Sequence, residues 1–234
     1  MKIKDAVVFI SGANRGLGLQ FATQAWARGA KKVYAGARDP SKVSLPGVIP
    51  IKLDITNPAD VLAVAKECSD VTLLINNAGI VRIGGVTQEG AVATLREQLE
   101  TNLFGTQAMG EAFAPVLGRN GGGAMLTILS LFSWMSTPMI AGYAVSKAAA
   151  WALTNGQRNE LRAQSTQVTG FHAGFIDTDF TRGLDVPKSK PEDVVRMALD
   201  AIEAGDEEVL VDDTTRQVKG GLSHSVYLKD AMAQ

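Results

Sequence analysis

Tyr143 and Lys147 lie four residues apart, and Ser130 lies thirteen residues before the tyrosine. Four residues is about one helical turn, so a phenol and an ammonium at this spacing project from one helix face. A free tyrosine has a pKa of about 10 and exchanges protons poorly near neutrality. A fixed cation beside it favours the phenolate and moves that pKa toward the working range. The hydroxyl of Ser130 can bond the same substrate oxygen. Together these groups could move a proton on and off an alcohol or carbonyl oxygen. Near the chain start, Ser11-Gly12-Ala13-Asn14-Arg15-Gly16-Leu17-Gly18 forms a glycine-rich turn that offers a place for a dinucleotide.

These groups need elements to position them. Residues 6–10 are continuously apolar, as in a strand buried on both faces of a parallel sheet. Further strands are predicted over 32–37, 48–53, 71–75, 124–129, 168–171 and 208–211. Helices are predicted over 17–28, 58–68, 87–117, 142–163 and 191–204, with Asn57 as N-cap and Pro58 in the first turn of the second. The tail from 213 onward reads as partly helical. Strands alternating with helices imply right-handed crossovers. The expected fold is α/β: a doubly wound, mostly parallel seven-stranded sheet with helices on both faces, a single Rossmann-type domain over residues 1–234.

Bulk composition narrows the function. With 46% apolar and 20% charged residues, the 234-residue chain is that of a globular protein. A net charge of −1 gives no reason to expect nucleic acid or an anionic membrane as partner. Cys68 is the one cysteine, and His172 and His224 are the two histidines, so no metal site is expected. No signal peptide or membrane span is read, and a cytoplasmic location is the expectation.

In the turn, Gly12, Gly16 and Gly18 let the backbone approach a pyrophosphate, which would meet the free N–H groups of the following helix; Asn14, Arg15 and Leu17 share that turn. The spacing is not the common G-x-G-x-x-G, and a tight turn without a ligand would use it too. Asp54, followed by Ile55, ends the third strand, where a carboxylate could accept from an adenine amine. Asn76-Asn77-Ala78-Gly79 ends the fourth, where it could meet the ligand, tie neighbouring strands, or do both at once. The second strand ends at Ala37-Arg38, with no acid to accept from a ribose 2′-hydroxyl. Arg38 and Arg15 can instead pair with a 2′-phosphate, so NADP(H) is expected over NAD(H), although Asp39 could occupy Arg38 in a surface pair.

Three blocks in order, Gly12 to Gly18, Asn76 to Gly79, and Ser130 with Tyr143-Ala144-Val145-Ser146-Lys147, resemble the short-chain dehydrogenase/reductase family across nearly the whole chain. The resemblance implies that Asn102 holds a water linking Lys147 to solvent, and that Lys147 also bonds the nicotinamide ribose. It implies that the loop with Gly174, Ile176 and Thr178 meets the nicotinamide amide and a phosphate. That loop usually begins Pro-Gly, and here Ala173 replaces the proline. Only about residues 179–190 remain for a substrate-covering lid, which predicts an open site. The resemblance further implies a small carbonyl or alcohol substrate and a homodimer or homotetramer.

The resulting expectation is reversible reduction of a ketone or aldehyde with Ser130, Tyr143, Lys147 and Asn102 as the catalytic set. Phe132, Trp134, Met135, Met139 and Ile140 could line a substrate pocket or form core, and Trp151 could meet a partner subunit or pack within the chain. Two rivals are a nucleotide-sensing module without chemistry and a sugar-nucleotide epimerase or dehydratase. The second generally needs a longer region after Thr178.

Overall fold

The computed structural model describes residues 1–232. Seven strands form one sheet in the order β3-β2-β1-β4-β5-β6-β7, with every pairing parallel. They are β1 Val7–Ser11, β2 Lys32–Ala37, β3 Ile49–Lys52, β4 Leu73–Asn76, β5 Ala124–Ile128, β6 Gln167–His172 and β7 Glu208–Leu210. The helices are α1 Gly16–Ala27, α2 Pro58–Glu67, α3 Ala91–Leu99, α4 Thr106–Arg119, α5 Ala141–Leu161, α6 Pro191–Ala204 and α7 Asp213–Gly220. The doubly wound parallel fold is as the sequence pattern implies.

Alternation along the strands divides two cores. Val8, Ile10, Leu73, Ile75 and Leu126 face α1 and α6, meeting Phe21, Val195 and Leu199. Val7, Phe9, Leu74 and Met125 face the other way, meeting Val61 and Val64 of α2 and Met109 and Phe113 of α4. Burial on both faces explains why these strands read as unbroken apolar runs.

The order of the sheet reverses between β1 and β4, which are neighbours. At such a switch point, successive crossovers leave toward opposite sides, and a crevice opens beyond the carboxyl ends of the strands. The glycine turn follows β1 there and Asn77-Ala78-Gly79 follows β4.

The largest departure from the sequence reading concerns the helix expected over 87–117. It starts only after Gly90, which has φ +77°, and it is interrupted by a π-helical segment, Glu100–Gly105. The cause is tertiary. Asn102 Oδ1 accepts from the Ile80 N–H and Nδ2 donates to the Ile80 carbonyl, both at 2.8 Å. These bonds hold the helix against the loop after β4, which apolar periodicity does not report.

A third core lies beyond β6 and β7. Leu131, Phe132, Trp134, Met135 and Ile140 are buried there, covered by Val218 of α7 and by Leu222, Val226 and Met232 of the tail. This stretch is core, and Met139 is a partly buried member of it. Trp151 packs edge-on to Trp134 within the chain, ring centres 6.0 Å apart.

Candidate active site

A cleft of about 1010 Å³ runs along the carboxyl ends of β1 to β6. Its floor is the glycine turn. Gly12 and Gly16 have φ of +69° and +53°, a region that side chains avoid. At Gly18 a Cβ would stand 2.2 Å from the Gly12 carbonyl oxygen and 2.5 Å from Asn77 Nδ2, so helix and turn touch through the missing side chain. The start of α1 has no side-chain cap and no acidic residue in its first turn. Its free N–H groups and positive dipole end are therefore open to an anion.

Asn77 fixes this floor to β4. Its Nδ2 donates to the carbonyls of Ser11 at 2.9 Å and Gly12 at 3.1 Å. The Ser11 hydroxyl accepts in return from the N–H groups of Asn77 and Ala78, each at 3.1 Å. Asn76, expected at the coenzyme, is buried away from the cleft lining, and both ends of its amide are unpartnered. Consecutive strand residues point to opposite faces, so only one of the pair can face the ligand. Ala78 and Gly79 line the cleft, as do Gly12, Asn14, Arg15, Gly16, Leu17, Gly18, Asp54 and Ile55.

The far end of the cleft is basic. Arg15, Arg38 and Lys42 all line it, and Lys42 was not anticipated from sequence. Asp39 pairs with Lys42 at 3.6 Å and accepts from the Ser41 N–H and hydroxyl at 3.2 and 2.6 Å, capping a short 3-10 turn. It leaves Arg38 unpaired in this turn. The carboxylate of Asp54 accepts from the Thr56 N–H at 3.0 Å and hydroxyl at 2.7 Å. Although burial pushes its pKa up, those bonds and the Arg38 charge prevail and hold it below the usual range.

At the inner end stand Ser130, Tyr143 and Lys147. Helix α5 carries the last two on one face, with Lys147 Nζ 5.6 Å from the centre of the Tyr143 ring. Lys147 is buried and donates to the Ile128 carbonyl at 2.7 Å. Gly79 stands opposite, where a Cβ would crowd Asn102 Oδ1 at 3.2 Å and reach Nζ at an ordinary contact distance of 3.9 Å. Burial dominates both ionisations: it pushes the Tyr143 phenol up to about 12 and the Lys147 ammonium down to about 8. The neighbouring Ser130 hydroxyl opposes the first shift.

Asn102, expected with the catalytic residues, does not itself line the cleft. It lies behind the cleft lining, its amide committed to Ile80 and, at 2.9 Å, to the Ser146 hydroxyl. It braces α5 one residue before Lys147.

Gly174, Ile176 and Thr178 line the side opposite α5. The rigidity that a proline at 173 would give comes from elsewhere. Asp212 accepts from the Gly174 N–H at 2.8 Å, and the Leu131 N–H donates to the Ala173 carbonyl at 2.9 Å. Sequence reading missed Asp212 because its partner is distant along the chain. The segment beyond is pinned at its neck, where Ser189 N–H donates to the Phe175 carbonyl at 2.8 Å and Asp177 N–H to the Ser189 carbonyl at 3.0 Å. It carries Phe180, partly exposed, with its ring centre 6.2 Å from that of Tyr143.

A switch-point crevice with a glycine cradle beneath it, and a half-buried Tyr143 beside a buried Lys147 at one end, defines a Rossmann-type dinucleotide-using class. The chain belongs to the short chain dehydrogenase family, whose profile matches residues 6–188. It is thereby an oxidoreductase working with a nucleotide cofactor. A short chain dehydrogenase from Burkholderia cenocepacia, solved in complex with NADP, is 37% identical with a TM-score of 0.93, covering 98% of this chain and 100% of that one. A short chain dehydrogenase/reductase from Burkholderia phymatum, in complex with NAD, shares the fold at 21% identity and TM-score 0.87, covering 100% of each chain. The dehydrogenase/reductase SDR family member 7B of Bos taurus is 30% identical over 197 residues, which are 76% of this chain and 60% of that protein's length. Among the described residues, no helix is long and apolar enough to cross a membrane.

Proposed function

We propose that the protein catalyses the reversible, NADP(H)-dependent reduction of a ketone or aldehyde to an alcohol. The observation that carries this reading is one cleft that holds Arg15, Arg38 and Lys42 at one end and Ser130, Tyr143 and Lys147 at the other. The uncapped start of α1, held close under the turn by the contact at Gly18, fits a pyrophosphate between those ends.

When bound, the nicotinamide supplies or accepts the hydride. The chain's residues then manage the oxygen. Ser130 hydrogen-bonds it, and Tyr143 gives it a proton in reduction or takes one in oxidation. Lys147, four residues on, brings the charge that favours the phenolate and bonds the coenzyme ribose. Asn102 keeps Lys147 in register through Ser146 and supports the water that resupplies the proton. A coenzyme phosphate at the basic end supports NADP(H) over NAD(H), in keeping with the NADP held by the 37% identical Burkholderia structure. The short segment after Thr178 supports an open, permissive carbonyl site. A cytoplasmic homodimer or homotetramer is the setting we infer.

The test is NADPH oxidation against a panel of ketones and aldehydes, with Tyr143→Phe as control. The variant should lose turnover by about a hundredfold or more while binding NADPH normally. NADPH binding with no carbonyl-dependent oxidation would point to a sensing module, and unchanged turnover by the variant would remove the proton-transfer role.

A further inference from the structure

His172 ends β6 fully buried, and its Nδ1 lies 3.1 Å from the carbonyl oxygen of Ser130. A carbonyl oxygen only accepts, so the imidazole proton belongs on Nδ1. Nε2 then carries a lone pair, and no hydrogen-bond partner reaches it. The Glu208 carboxylate, 3.7 Å away, is another acceptor and is itself held by Lys219. Burial, with the charges of Lys219, Lys147 and Arg158 behind it, pushes the imidazole pKa down to about 3 and overrides the Ser130 bond that raises it, so the ring is neutral. Trp134 stacks on it with ring centres 4.0 Å apart and planes 17° from parallel, which fixes its orientation.

A phenylalanine would fill this slot against Trp134 without leaving a ring nitrogen unsatisfied. The imidazole therefore earns its place through the one bond that it makes. That bond reaches a site residue. The Ser130 carbonyl also accepts from the Ser133 N–H at 3.0 Å, a contact local to the turn. The bond from His172 comes from the neighbouring strand and is the one that ties this carbonyl to the sheet. On its other side the Ser130 hydroxyl accepts from the Phe132 N–H at 3.2 Å and donates to the Ala173 carbonyl at 3.4 Å.

We propose that His172 is a positioning residue for Ser130: its Nδ1–H, donated to the serine carbonyl, sets the height and direction of the serine hydroxyl in the cleft. The proposal rests on the reading of Ser130 as the group that binds the substrate oxygen. No contact of His172 with substrate or coenzyme is required.

A kinetic cycle tests it in the full-length protein. His172→Phe keeps a ring on Trp134 but removes the donor. It should lower kcat for carbonyl reduction by about tenfold to a hundredfold, the scale on which small misplacements act, with the NADPH Kd within about twofold. His172→Asn restores an N–H on Cγ, where Nδ1 stands, and should recover most of that loss. In a Ser130→Ala background, His172→Phe should change kcat by less than about twofold, since the hydroxyl that it positions is gone. Equal losses in both backgrounds would show a merely structural role and overturn the proposal. So would His172→Asn performing no better than His172→Phe. Nitrogen-15 NMR of the wild-type imidazole adds a readout free of folding effects: protonated Nδ1 and bare Nε2 are expected, and the reverse tautomer overturns the assignment. Wild-type turnover, and its loss in Ser130→Ala alone, separate this proposal from its premise, because their failure sinks both while additivity sinks only His172.

Discussion

The carboxylate of Asp212 reaches across the edge of the sheet to the backbone N–H of Gly174, 2.8 Å away and 38 positions distant in sequence. Its second oxygen accepts from the Thr215 N–H at 2.8 Å and so caps α7. One side chain thereby fixes both the loop that lines the cleft opposite α5 and the helix that roofs the third core.

Asp212→Ala should therefore cost more than an ordinary surface change. Loss of a helix cap is worth about 1 kcal/mol. An unpartnered loop N–H adds about 1 kcal/mol or more. In a chain of this size that lowers Tm by about 4–8 °C. Thermal unfolding with and without NADPH checks it, and the coenzyme should also bind more weakly. A Tm within a degree of wild type would mean that the loop is held by other bonds.

Coenzyme choice should follow the basic end of the cleft. Arg38→Leu is expected to weaken NADPH binding by about tenfold to a hundredfold, the scale of a lost charge-assisted hydrogen bond. NADH binding should change by less than about twofold, since it carries no 2′-phosphate at this end. Asp39→Asn should act in the opposite sense, because it releases Lys42 from its 3.6 Å ion pair and lets it face the phosphate. Fluorescence titration with both coenzymes gives the ratio; equal losses for NADPH and NADH in Arg38→Leu would count against a 2′-phosphate contact.

The pH profile should carry the Lys147 ionisation. Its pKa is lowered by burial to about 8, so the cation is present below that pH and lost as pH rises through it. Accordingly kcat/KM for NADPH in the reductive direction, which reports the free enzyme, should be level up to about pH 8 and fall about tenfold per unit above it. Lys147→Arg, whose guanidinium stays protonated, should abolish that alkaline limb even if the rate is lower. An unmoved limb would assign it to another group.

Local chemistry made a good part of this protein readable in one dimension. Strands such as β1 are apolar throughout because both their faces are covered, and α6 begins at Pro191 and closes at Gly205, whose φ is +90°. The Tyr143–Lys147 pair was legible because helix geometry converts a spacing of four into a shared face. The cradle was legible in the same way, since backbone that must turn with positive φ selects glycine.

What stayed hidden depends on partners that are far apart in sequence. Whether Asn76 or Asn77 faces the cleft is set by where β4 ends against β1, and Asn77 takes that place by bonding Ser11 and Gly12. The break in the long helix at Glu100–Gly105 comes from the amide of Asn102 on Ile80, and the firmness of the Ala173-Gly174 loop comes from Asp212. Burial also decided the resting ionisation: spacing alone lets Lys147 draw the Tyr143 pKa down, whereas the folded surroundings push the phenol up to about 12. Sequence spacing specifies which groups share an element, but desolvation and long-range hydrogen bonds exist only once the elements have packed.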